Sequence, residues 1–132
     1  MYYFFGPVIK VAGVACNQGG AYEADDMVTG SILFDSGVAF SGSWCFNAAE
    51  KRDHCEIIGS NGKLSFSFFS GNNIELTSNM ERTVFNFDTL QHVQQPMIER
   101  TVQYFLNKAS NPCTGEEGAE VMRWMENIVS RI

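Results

Sequence analysis

The chain has 132 residues, a formal net charge of −6, and 45% hydrophobic and 13% aromatic residues. That suffices for one domain with a real core, and eleven Phe, four Tyr and two Trp exclude intrinsic disorder. Nine Lys plus Arg against fifteen Asp plus Glu leave no basic footprint for nucleic acid, and no apolar run approaches the roughly 20 residues that span a bilayer.

The opening Met1-Tyr2-Tyr3-Phe4-Phe5 lacks a basic n-region and meets Gly6-Pro7 at once, so it does not read as a signal peptide. The expected location is cytoplasmic. Gly6-Pro7 would stop any preceding helix, and the β-branched, apolar stretch 8–15 reads as the first strand. Residues 16–24, with Asn17, Gly19 and Gly20, read as a flexible loop. Strands 27–34 and 38–46 flank Asp35-Ser36-Gly37, a short hairpin connection. Strands 53–58 and 63–69 flank Gly59-Ser60-Asn61-Gly62, where Asn-Gly would supply the positive φ of a tight turn. Strands 74–77 and 82–87 complete the β region.

After Phe87 the period changes. Ile98, Val102, Phe105 and Leu106 share one face of a helix that Pro96 could start and Asn111-Pro112 would break. Thr114 and Glu117 have the spacing of a capping box, and Met122, Met125, Val129 and Ile132 stripe a second helix. Strands followed by helices predict an α+β domain spanning 1–132, an open, largely antiparallel β-sheet with the C-terminal helices packed on one face.

The two faces of that sheet differ. Val28, Ile32, Phe34, Val38, Phe40, Trp44, Leu64, Phe66 and Phe68 form a bulky face, the natural floor for the helices. The alternate positions, including Thr29, Ser31, Ser41, Ser43 and Ser65, are small and almost uncharged. Such side chains let a second flat surface approach closely. They predict a partner-binding face, with an ordinary exposed Ser/Thr face as the alternative.

Motifs for chemistry are few. No GxGxxG follows a strand, and neither a phosphate-cradling GxxxxGK run nor a GxSxG nucleophile elbow occurs. Glu23, Asp25 and Asp26 read as a solvated strand start rather than a carboxylate site. Trp44 reads as core, and His92 as helix entry, loop packing or a substrate contact. The cysteines, Cys16, Cys45, Cys55 and Cys113, are widely spaced and read as reduced thiols. His54 and Cys55 would point to opposite sheet faces, so no metal site is expected.

Taken in order, several segments resemble the C-terminal domain of the Gfo/Idh/MocA oxidoreductases, the glucose–fructose oxidoreductase and inositol dehydrogenase family. They are Gly6-Pro7-Val8, Ala24-Asp25-Asp26, Phe34-Asp35-Ser36-Gly37-Val38, the hairpin from Glu56 to Leu64, and Pro112-Cys113-Thr114-Gly115-Glu116-Glu117-Gly118 with the helix through Met125-Glu126-Asn127-Ile128. The hairpin is the most specific of them.

The resemblance implies that NAD or NADP is bound in the full-length parent by an N-terminal Rossmann domain, with no cofactor and no catalytic residue on this chain. The family's EKP-type and D.G.H motifs do not occur here, so the chain reads as an excised domain beginning after them, its Met1 native or added. The resemblance further implies a homo-oligomer through the open sheet face and a wall for a sugar, polyol or related hydroxyl substrate. Asn17, Asn47 and His92 are the polar loop positions proposed to touch such a substrate. A stand-alone, non-enzymatic ligand-binding or dimerisation domain is the alternative.

Overall fold

The structure is a computed structural model and describes residues 1–130. In chain order its elements are α1 (Tyr2–Phe5), β1 (Val8–Cys16), β2 (Met27–Phe34), β3 (Ala39–Cys45), β4 (Cys55–Gly59), β5 (Gly62–Phe66), β6 (Asn73–Ser78), β7 (Glu81–Asn86), α2 (Gln95–Phe105) and α3 (Gly115–Val129). Every strand neighbour is antiparallel, so the α+β class with open antiparallel sheets holds. The strands form two sheets, β1-β2-β3 and β4-β5-β6-β7. They belong to two compact units, Met1–Ala49 with the chain from Tyr104 onward, and Glu50–Gln103.

In the first unit the core is built where α3 lies on β1 and β2. Ile32 and Phe34 are buried on β2 while Leu33 between them is exposed, the alternation of a strand with one covered face. Trp124 and Ile128 are the buried residues of α3. Gly13 pairs with Gly30, and Gly30 with Gly42, so three glycines run across the strands on that face. A Cβ on Gly13 would stand 2.5 Å from the Ile128 carbonyl oxygen, and one on Gly30 would stand 2.9 Å from Ile128 Cγ2. The floor under the helix is therefore hollowed by glycine, which lets the α3 backbone come down onto the sheet.

The expected stripe of α3 is not the buried one. Met122, Met125 and Val129 stay exposed, and Ile132 lies outside the described residues. Ile128 fits the glycine hollow instead, while Trp124, one turn earlier, stands edge-on to Phe34 with ring centroids 5.9 Å apart, and Glu120 accepts its indole N–H at 2.8 Å. The capping box forms as expected. Thr114 Oγ1 accepts the Glu117 N–H at 3.1 Å, and the Glu117 carboxylate accepts the Thr114 N–H at 2.7 Å. α1 adds two rings to this core, Tyr2 against Trp124 at 5.7 Å and Phe5 against Phe34 at 5.3 Å.

Other local readings change for identifiable reasons. Trp44 is 42% exposed rather than core, because it and Phe40 fold across Gly42 with ring centroids 6.3 Å apart. β5 ends at Phe66 instead of continuing to residue 69, since the Asp53 carboxylate takes the N–H groups of Phe68, Phe69 and Ser70 at 3.0, 2.6 and 2.8 Å. These bonds, led by that of Phe69, hold the Asp53 carboxyl at about 2. Gly62 does not have positive φ; its requirement is space, for a Cβ there would meet the Thr77 carbonyl oxygen at 2.5 Å. The positive-φ turn is the next one, Asn79 (φ 52°) and Met80 (φ 64°) joining β6 to β7. α2 ends at Phe105, ahead of Asn111-Pro112, with Asn107 in the left-handed region at φ 57°. Its stripe of Ile98, Val102 and Phe105 is exposed, and α2 buries none of its residues.

The face of the first sheet turned away from α3 carries Ala12, Ser31 and Ser41 in one cross-strand row and Val14, Thr29 and Ser43 in the next. All six are exposed. Ser65 lies in the second sheet, paired with Glu56 and Glu75. There Lys63 bonds Glu56 at 2.5 Å and Arg82 bonds Glu75 at 2.5 Å. The small uncharged face thus belongs to the first sheet alone; around Ser65 the surface is charged.

Candidate functional site

The first sheet ends in a polar rim made by the loop after β1, the start of β2 and the turn after β3. Asp26, read from the sequence as part of a solvated strand start, is instead buried there, 2% exposed. Its backbone joins all three strands at this end: its N–H donates to the Cys16 carbonyl at 3.1 Å and its carbonyl accepts the Phe46 N–H at 2.8 Å. Its carboxylate accepts the Gln18 N–H at 2.7 Å and the Gly19 N–H at 2.8 Å. A buried carboxylate needs such donors to offset its lost hydration.

Asn17 shapes the same loop. Its side-chain oxygen accepts the Gly20 N–H at 2.7 Å, and its amide donates to the Tyr22 carbonyl. Asn47 reaches the loop from the other side. A Cβ on Gly19 would stand 2.5 Å from Asn47 Nδ2 and 2.7 Å from Asp26 Oδ2, so the Asn47 amide and the Asp26 carboxylate converge on one point of the Gly19 backbone. The structure brings Asn17 and Asn47 together and adds Asp26, which sequence reasoning missed. The signal was present in the apolar residues directly after it, but burial of Asp26 depends on the loop folding back over it. His92 lies in the second unit, exposed in the bend before α2, with its carbonyl accepting the Gln95 N–H at 3.1 Å.

Elsewhere in the first unit a cavity of about 440 Å³ is lined by Tyr2, Val8, Thr114, Glu116, Glu117 and Glu120 among others. Glu117 is committed to the helix cap and Glu120 to Trp124, and the acidic lining disfavours an anion. Among the described residues no group of three or more His, Cys, Asp or Glu could hold a metal ion. All four cysteines are free. Burial pushes the Cys55 thiol up, away from the reactive thiolate. No helix among the described residues is long and apolar enough to cross a membrane.

Comparison with known proteins places this architecture. Residues 1–65 match the GFO/IDH/MocA C-terminal domain. An oxidoreductase of Formosa agariphila is 42% identical over 126 residues, 96% of this chain and 38% of that protein. Over its first 65 residues this chain is similar to a Gfo/Idh/MocA C-terminal domain. Its fold recurs in an aldose–aldose oxidoreductase of Caulobacter crescentus, crystallised with glycerol, at TM-score 0.78 and 15% identity over 96% of this chain and 40% of that one. It recurs also in the biliverdin reductase of Synechocystis, solved with biliverdin and NADP⁺, at TM-score 0.72 and 14% identity over 95% and 40% of the two chains. The domain thus spans about two-fifths of the length of these relatives.

Proposed function

We propose that this domain forms the substrate-side wall and the subunit interface of an NAD(P)-dependent oxidoreductase acting on a sugar, polyol or related hydroxyl compound. The observation that carries the reading is the 42% identity across nearly the whole domain to an oxidoreductase. The polar rim around Asn17, Asp26 and Asn47 supports the choice of substrate class, because hydroxyl-rich ligands are oriented by amides and carbonyls fixed in a loop. His92 is kept as a further substrate contact from the loop before α2.

The cofactor belongs elsewhere in such an enzyme, since the residues of this domain do not fit a dinucleotide. Its sheets are antiparallel, and its strand-to-helix connection 87–94 contains no glycine. The N-terminus of α3 is closed by its own capping box and carries Glu116 and Glu117, which would repel a pyrophosphate. A bound dinucleotide would supply hydride transfer; this domain would hold and orient the hydroxyl substrate.

The test is a chimaera in which this domain replaces the matching segment of the Formosa agariphila oxidoreductase. Formation of NADH or NADPH with a panel of aldoses and polyols is the expected result. A folded chimaera that binds the dinucleotide yet reduces it with none of them would overturn the substrate class. Titration of the isolated domain with NAD(H) or NADP(H) should show no tight binding.

The interface half of the reading rests on the exposed, uncharged rows Ala12-Ser31-Ser41 and Val14-Thr29-Ser43. Packed against a second copy, Ser41→Lys with Ser43→Lys would bury like charges across the two-fold axis. Sedimentation should show a dimer that these substitutions dissociate. A monomeric parent, or a doubly substituted dimer of unchanged affinity, would remove the sheet-face interface.

A further inference from the structure

Among the described residues Asp26 is the one buried polar or charged side chain, and what it holds is an exposed loop. Gln18 and Gly19 are on the surface, where water could satisfy their N–H groups at no cost in buried charge. A carboxylate buried to fix two such donors is therefore not needed to satisfy them; it is needed to fix where they are. The position it fixes is specific. Gly19 is held so closely between Asp26 and Asn47 that any side chain there would displace one of them. Unlike Asn17, whose amide is spent within the loop, the Asn47 amide bonds to no protein group among the described residues. It therefore has donors and an acceptor to offer a ligand.

We infer that Asp26 is a positioning residue: by clamping the Gln18 and Gly19 amides it seats the loop against Asn47 and aims the Asn47 amide at a substrate hydroxyl. This rests on the reading of the domain as the substrate-side wall of a polyol or sugar oxidoreductase. Asp26 itself does not touch substrate. Its carboxylate oxygens are used by the loop, and replacing one by an amide N–H₂ would set donor against donor at Gln18 or Gly19.

The experiment is a titration of the ¹⁵N-labelled 132-residue chain with D-glucose, followed by the Asn47 side-chain and the Gln18, Gly19 and Gly20 backbone signals. Glucose should shift the Asn47 side-chain signals of the native chain. Asp26→Asn should speed hydrogen exchange at Gln18 and Gly19 and weaken glucose binding about tenfold, the equivalent of one well-placed hydrogen bond. Asn47→Ala should weaken binding as much while exchange at Gln18 and Gly19 stays slow, a separation that a merely structural role of Asp26 would not produce. Gly19→Ala, whose methyl carbon would crowd Asn47 Nδ2 and Asp26 Oδ2 together while both side chains remain, should also weaken binding and serves if Asp26→Asn does not fold. Unchanged glucose affinity in an Asp26→Asn chain with an opened loop would overturn the positioning role and leave the substrate wall standing. A native chain with protected Gln18 and Gly19 amides and no response of Asn47 to glucose would overturn the substrate wall, and the inference with it.

Discussion

Substituting Gly13 by Ala tests the packing that holds the first unit together. The new methyl carbon would sit 2.5 Å from the Ile128 carbonyl oxygen, 2.7 Å from Ile128 Cγ2 and 2.7 Å from the Thr29 carbonyl oxygen. Two of these three neighbours are backbone atoms, so no rotamer change relieves the clash. α3 must instead retreat by about 1 Å, and a gap of that size forfeits a quarter to a half of the dispersion energy across it. Trp124 and Ile128 are the buried residues of that helix, each contributing roughly 1.5–3 kcal/mol when fully buried. With the strain of overpacking added, the expected loss is about 2–4 kcal/mol. Urea unfolding followed by Trp fluorescence should show the midpoint falling by roughly 1–2 M at an unchanged slope. Gly118→Ala is the control. It lies in the same helix, has open space around its Cα, and should gain about 1 kcal/mol from helix propensity. A Gly13→Ala midpoint equal to that of the native chain, or a Gly118→Ala midpoint lowered as far, would refute the close approach of α3 to β1.

Three further outcomes follow from local geometry. Thr114→Ala removes the acceptor for the Glu117 N–H and should cost about 1 kcal/mol of thermal or urea stability. Met80→Gly relieves a side chain held at φ 64° while fully exposed, and should raise stability by roughly 1 kcal/mol; a lowered melting temperature would show that Met80 has contacts of its own. The Asp53 carboxyl, held at about 2 by the Phe69, Phe68 and Ser70 donors, lies below its unfolded value. Its contribution is therefore complete above about pH 4 and lost as the pH falls toward 2. The Phe69 and Ser70 amide signals should titrate with a midpoint near 2, and a midpoint at the ordinary carboxylate value would remove the clamp.

What the sequence by itself determined are the features whose cause lies within a few residues. The alternation of Val28, Ile32 and Phe34 with Thr29 and Ser31 marks a strand with one covered face, and the burial of Ile32 and Phe34 follows it. Gly37 turns the β2–β3 hairpin with φ 82°, and Thr114 with Glu117 starts α3. The ordered set of such segments also carried the family resemblance, because turn and cap residues stay where the backbone needs them.

Tertiary structure decided the rest, wherever two equally plausible local choices existed. α3 offers the sheet either the Met122, Met125 and Val129 stripe or Trp124 and Ile128, and helix periodicity admits both. The choice was made by Gly13 and Gly30, distant in the chain, which hollow the floor where Ile128 sits. The serines likewise carry no sign of which sheet they join; only strand pairing separates Ser41 and Ser43 from Ser65 with its charged neighbours. Asp26 shows the same limit at the candidate site. A carboxylate at a strand start is ordinarily solvated, and it becomes a buried clamp here because Gln18 and Gly19 fold back to supply its donors.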